Sequence, residues 1–539
     1  MRRALFLWSL LLAALATAAR AQPITVTGET LKGTTLDGEA IREVIGDVVL
    51  TQGDVVVTCD KAIHFLDRND ARLVGDVVAV QRNLTIRTPE GFYYGDERRA
   101  YSNAGVELDD KKVVLTAEEG EYFFDDKIAI FVDSVRLYDT ATTLDAARLL
   151  YYRGDDRAVA TGDVRARDSV NTIFADSLIH FRQSQVTYGY FNVQIQNRED
   201  DVFILGERLE DYRRQKYSVM RINAALVQLD STVVADTIRA DSASATVVDS
   251  VKVDTLVIRA EKLEAFRDST NRYVAEDSVR MRRTDFASRN DRAVFYRSED
   301  RILVVKLEER EQPIMWYETA QLLGDSVVVE LRENQIRRID AVGDAMTASR
   351  PPDYPQRLDQ ISGEEMTMRF GDDGLERVEV SGEVKSIYYI YEDGAPNGVV
   401  KATASSAAIL VEEGLVSVVK LYGDPDSEYH PERLARGAER TFLLPTFEEY
   451  REPPDKDRLL EGIVLREPDA PLTLDRAVAE EEERRAQELR KRNEELRELQ
   501  ERKRREDERG DRRDDKRGDR REDPRFRDDP RRDDPRRDD

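Results

Sequence analysis

From Gly46 onward the chain alternates apolar and polar residues in short runs, separated by turn-prone clusters such as Asp67-Arg68-Asn69-Asp70. Alternation with a period of two predicts β-strands that bury one face. The runs recur. Gly46-Asp47-Val48-Val49-Leu50 returns as Gly75-Asp76-Val77-Val78-Ala79 and, more loosely, as Gly105-Val106-Glu107-Leu108. It returns again as Asp133-Ser134-Val135-Arg136-Leu137 and Gly162-Asp163-Val164-Arg165-Ala166, the steps being 29, 30, 28 and 29 residues. Between these lies a second run, ending on an apolar or aromatic residue, one intervening residue and an aromatic. Its copies are Cys59 to Phe65, Thr88 to Tyr94, Glu118 to Phe124 and Ala175 to Phe181. Two short strands per repeat, without helical periodicity, predict an all-β array.

Alternation also assigns faces. Val48, Leu50 and Val77 of the first run are expected inside. From the second run, Ile63, Phe65, Phe92, Tyr94, Tyr122, Phe124, Ile179 and Phe181 are expected inside, with Asp60 and His64 outside. Stacked in register, these residues would form a continuous apolar interior; each reads equally well as plain sandwich core. The theme returns less regularly at Ala260 to Phe266, Asp277 to Met281, Ser362 to Phe370 and Gly382 to Val384. A weaker stretch, Gln196 to Lys216, separates the halves. The expected domains are therefore residues 22–215 and 216–445, followed by a linker over 446–475 that contains Glu452-Pro453-Pro454.

The ends of the chain read differently. Arg2 and Arg3, an apolar run from Ala4 to Leu15, and Ala19-Arg20-Ala21 have the layout of a secretory signal peptide cleaved near Ala21. Residues 476–539 hold 24 Lys and Arg against 24 Asp and Glu. Up to about Arg505 their i,i+4 charge blocks suit an exposed helix, and beyond Gly510 the Asp-Pro-Arg repeats predict disorder. The whole chain of 539 residues carries −25. Three arginines in residues 1–21 and the balanced tail leave residues 22–475 at −28. Such acidity argues against nucleic acid as a partner. A single cysteine, Cys59, excludes a disulfide framework, and three histidines leave little for a metal centre. No cofactor and no metal are expected.

At Gly46-Asp47-Val48-Val49-Leu50-Thr51-Gln52-Gly53, followed by Asp60-Lys61, the sequence resembles the OstA/LptA family of lipopolysaccharide-transport proteins. Gln22-Pro23-Ile24-Thr25-Val26 is similar to the mature start of the periplasmic bridge member. The stretch from Gln360-Ile361-Ser362-Gly363 through Ser386-Ile387-Tyr388-Tyr389 to His430-Pro431 resembles the long two-domain OstA-like proteins of Bacteroidetes type. Two departures are Asp47 where the family favours Asn, and Cys59 in place of Ala. The resemblance implies two β-jellyroll domains in tandem, each a pair of sheets opened into a groove that shields lipid A acyl chains. It implies a periplasmic location with outer-membrane association. As partners it implies lipopolysaccharide, other jellyroll components of the bridge or outer-membrane translocon, and further copies of the chain, joined edge to edge. Arg72, Arg82, Arg87, Arg98 and Arg99 are candidates for a basic rim toward lipid phosphates. The −28 body is at odds with phosphorylated cargo, since like charges repel.

No glycine-rich phosphate loop, G-x-S-x-G or H-E-x-x-H is present, so the reading is not an enzyme. The residues leave open a closed sandwich acting as an envelope scaffold or adaptor. A carrier requires open apolar space between its sheets, and an adaptor requires sheets filled against each other.

Overall fold

The computed structural model describes residues 22–466 and 471–473, apart from residues 140, 198–200, 239–245, 334, 352, 393 and 413–414. The expected leader (1–21) and charged tail (476–539) lie outside the described residues. The fold is all-β. Among the described residues, thirty strands hydrogen-bond into one antiparallel ladder in which most long strands pair with their neighbours in sequence, while short strands are paired across an intervening one.

The Gly-Asp runs explain how one ladder makes two layers. In the strand Glu39–Gln52, Gly46 and Asp47 both adopt positive φ, 81° and 42°, and together oppose one residue of the strand Val55–Phe65. This is a β-bulge, which bends and twists its strand. Before the bulge the strand pairs with Thr30–Leu36, and after it with Thr25–Thr27. The two halves of one strand thus belong to different layers. The device recurs at Gly75-Asp76, Asp133-Ser134 and Gly162-Asp163, and then at Phe191-Asn192, Ile222-Asn223 and Asp277-Ser278. The ladder therefore runs through the stretch expected to be weak. The strands Val186–Asn197, Val202–Tyr212 and Tyr217–Ile238 pair in sequence across it.

The bulges also invert part of the predicted facing. In Val55–Phe65 the buried residues are Val55, Val57 and Cys59, then Ala62 and His64. Asp60 and Lys61 stand opposite the corner, so the inward parity slips by one residue as the strand passes between layers. Val48, Leu50, Val77, Tyr122 and Phe124 are buried as expected. Ile63, Phe65, Phe92, Tyr94, Ile179 and Phe181 are not; they are half-buried on the outer face, with His64, Tyr93 and Leu178 inside instead. The repeat step is 29 residues. Phe65, Tyr94, Phe123, Tyr152 and Phe181 form the outer column, while His64, Tyr93, Tyr122, Tyr151 and His180 form the inner one. Arginines cover the outer rings: Arg68 stands 4.4 Å over Phe65, Arg99 4.0 Å over Tyr94, and Arg157 3.9 Å over Tyr152.

The apolar interior forms two main clusters, one running from Ile24 to Leu178 and the other from Ala175 to Ala407. Past the last strands, the expected linker is a packed strap as far as Arg466. Three buried glutamines hold its backbone as a strand would. Gln360 donates to the Phe442 carbonyl (3.1 Å) and accepts from the Leu444 N–H (2.9 Å). Gln321 donates to Glu449 (3.0 Å) and accepts from Arg451 (2.6 Å), and Gln194 does both with Arg466. Between these clamps Phe442, Leu444, Leu459, Leu460, Ile463 and Leu465 are buried.

Candidate functional site

Because the two layers are joined at the bulges, their hairpin turns meet along the opposite side. In the first half that seam is closed by polar bridges. The Gln52 amide donates to the Gly95 carbonyl (2.8 Å) and its oxygen accepts from the Tyr93 hydroxyl (2.6 Å). Asp54 pairs with Arg98 at 2.7 Å, and Lys112 with Asp156 at 2.8 Å. The Tyr151 hydroxyl donates to Asp110 at 2.9 Å. Burial raises the Tyr93 and Tyr151 hydroxyls well above the usual tyrosine range, so both stay protonated and able to donate.

Behind this seam the first repeats are filled. The space beside Val77, Leu108, Tyr122 and Phe131 is about 30 Å³, room for no more than a water molecule. The expected groove residues Val48, Leu50, Val77, Tyr122 and Phe124 therefore serve as packed core. The expected basic rim is neutralised as well. Arg72 pairs with Glu90, Arg87 with Glu107, and Arg82 with Asp54. Arg98 pairs with Asp54 and Asp125, and Arg99 with Glu97 and Glu121. Cys59 is buried and unbridged, and burial raises its thiol.

Space opens farther along. Where the two core clusters meet, a cavity of about 440 Å³ is walled by Leu137, Leu144, Leu178 and Ile195. His180 faces it, bonded to the Thr187 hydroxyl at 2.9 Å, with its imidazole shifted down by burial. Its arginines are partnered: Arg213 with Asp168 at 3.2 Å and Arg267 with Asp211 at 2.7 Å. A larger cavity of about 650 Å³ lies in the second half, walled by Leu322, Ile339, Met368, Leu375, Val378 and Ile409. Asp359 lines it and accepts the Tyr389 N–H at 2.8 Å. Burial pushes its carboxyl up to about 6, against the pull of that N–H and of the Arg357 charge. Both volumes fall in the range of ligand sites. Sequence reasoning placed the site in the first half, where the repeat is most regular. The residues of this cavity that carried a sequence signal are Met368, in the run Ser362 to Phe370, and Gln360, Ile361 and Ser386 to Tyr388, in the stretches that resemble long OstA-like chains. Among the described residues, no group of three or more His, Cys, Asp or Glu side chains is placed to hold a metal ion.

Comparison with known proteins agrees with the first-half repeat. Residues 24–152 match the family described as OstA-like protein. No curated protein matches the chain. Among matching solved structures is LptH from Pseudomonas aeruginosa, described as the LptA-homologous periplasmic component of the lipopolysaccharide transport device. It is 17% identical, covering 26% of this chain and 85% of that one, with a TM-score of 0.15.

Proposed function

We propose that this chain, OstA-like over residues 24–152, is a periplasmic protein of lipopolysaccharide-transport type that shelters acyl chains between its two β-layers. The observation that carries this reading is the largely apolar space of about 650 Å³ in the second half, open to solvent at its mouth. Transfer of each CH₂ from water to such a wall stabilises by about 0.8 kcal/mol, so even one acyl chain gains several kcal/mol there. The aliphatic part of the wall, Leu322, Ile339, Met368, Leu375, Val378 and Ile409, makes no directional contact, which suits an acyl chain that must later leave. The two core clusters support a tandem of two jellyroll units.

The filled first repeats favour a second role for this end of the ladder, that of coupling module. The strand Thr30–Leu36 pairs on one side only and exposes Leu31 and Leu36. At the other end Leu415–Tyr422 also pairs on one side and exposes Val416, Val418, Val419 and Tyr422. Soluble proteins normally protect such edges, because they template strand addition by another chain. Partners that fit are another jellyroll of a bridge or translocon, or a second copy of this chain.

The test is lipid extraction and mass spectrometry of the protein purified from envelope-containing cells. An acylated glycolipid should be recovered from the native chain and reduced in Leu375→Trp, which narrows the cavity. Recovery of no lipid from correctly folded native protein contradicts the reading.

A further inference from the structure

The polar rim of the second-half cavity says what kind of head group its occupant carries. Its carboxylates are Glu318, Asp353, Asp359 and Asp373, against a single lining cation, Arg350. That arginine is already engaged. It pairs with Glu452 of the strap at 3.1 Å and stacks 3.9 Å over the Tyr450 ring. Arg357, just beneath the rim, is buried and pairs with Glu432 at 2.7 Å. Among the described residues, each of these two cations already has a carboxylate partner. Asp359 takes one hydrogen bond among the described residues, from the Tyr389 N–H, and as a carboxylate it can accept several more. Beside it the rings of Tyr354 and Tyr391 lie 5.1 Å apart and 25° from parallel, a flat apolar platform at the cavity mouth. The Tyr354 hydroxyl is tied to the Gly394 carbonyl at 3.2 Å, which holds that platform in place.

We propose that this cavity seats an acylated amphiphile whose head group offers hydroxyl or amine donors and bears no phosphate where it meets the rim. Carboxylates beside an aromatic face complement a sugar ring, whose hydroxyls donate and whose C–H face is apolar. A phosphate placed beside Asp359, the least exposed of the four, would meet like charge in a partly desolvated setting, and the exposed Glu318, Asp353 and Asp373 would add a weaker, screened repulsion. The inference accounts for the −28 body, which repels phosphorylated lipid but not a neutral or amine-bearing one. It rests on the acyl-chain reading of the same cavity.

The experiment is calorimetric titration of the full chain with dodecyl glucoside and with dodecyl phosphate, below their micelle concentrations and with a chelator to remove bridging divalent ions. The glucoside should bind at least about tenfold more tightly, the size of one hydrogen bond to a charged group. Asp359→Asn should shrink that preference. A phosphate that binds as well as the glucoside overturns the head-group inference and leaves the acyl-chain reading standing. Failure of both probes overturns the two together. A preference unchanged in folded Asp359→Asn overturns the role given to Asp359.

Discussion

Asp359 and the bulge residues show how single positions carry the account. Unfolded, an aspartate releases its proton near pH 4; folded, Asp359 keeps it until about pH 6. Between these values the native state binds the extra proton. The stability Asp359 contributes is therefore complete below pH 4 and lost as pH rises through 6. The unfolding free energy of the wild type relative to Asp359→Asn should fall by about 2–3 kcal/mol between pH 4 and 7. Urea denaturation across that range measures it, and a flat difference contradicts the buried setting. At the corners, Ile222 occupies a left-handed position (φ 64°) with half its surface exposed. That conformation costs a β-branched residue about 1–2 kcal/mol, more than the 0.5–1 kcal/mol that glycine's freedom costs. Ile222→Gly should thus stabilise slightly. Gly162→Val should destabilise by at least about 1–2 kcal/mol, because a Cβ at this φ of 80° would also stand 2.8 Å from that of Ala147. Thermal melts that reverse this order refute the corner assignment. The corners were legible as a recurring Gly-Asp, but not as corners. Alternation carried straight through them gives the wrong parity to Phe65, Phe92 and Phe181, because the slip occurs on the neighbouring strand, where no glycine marks it.

Among the elements, the strap is the part that sequence reading missed. Its clamps join residues 82 to 272 positions apart, and a buried glutamine that imitates a strand looks like any polar residue. The prolines and charges of 446–461 read as a linker for the same reason; only the spaced apolar residues from Phe442 to Leu465 hinted at burial. Gln321→Ala removes two hydrogen bonds and leaves the Glu449 carbonyl and Arg451 N–H without partners, at a cost of about 2–3 kcal/mol. Hydrogen exchange should show the Arg451 amide losing protection while the strands of the first half keep theirs. Unchanged protection at Arg451 would mean that the strap is held by its apolar side chains alone. At the C-terminal edge, Val418→Lys places a charge on an exposed apolar strand and should weaken association between copies, read by sedimentation. Equal association in the variant would exclude that edge as the joining surface.

At the level of the whole molecule, one repeat is used in two ways. The bulged strand with a 29-residue step packs shut over the first repeats, where polar bridges close the seam. It opens into the smaller cavity beside Leu137, Leu144 and Leu178, and into the larger one in the second half, where longer and less regular strands leave more space. Regularity made the first repeats legible, and their regular packing is also what leaves them without a site. The acidity, which opposed a carrier of phosphorylated lipid, fits a cavity whose own rim is acidic. On the proposed function, acyl chains lie in the second-half cavity and not in the filled first repeats. Photo-crosslinking in envelope-containing cells tests it directly, with the probe placed in turn at Leu375 and Tyr388 of the cavity, at Tyr122 of the filled interior, and at Asp60 on the surface. The account predicts lipid adducts at Leu375 and Tyr388 and none at Tyr122 or Asp60; adducts at Tyr122 with none in the second half would contradict it.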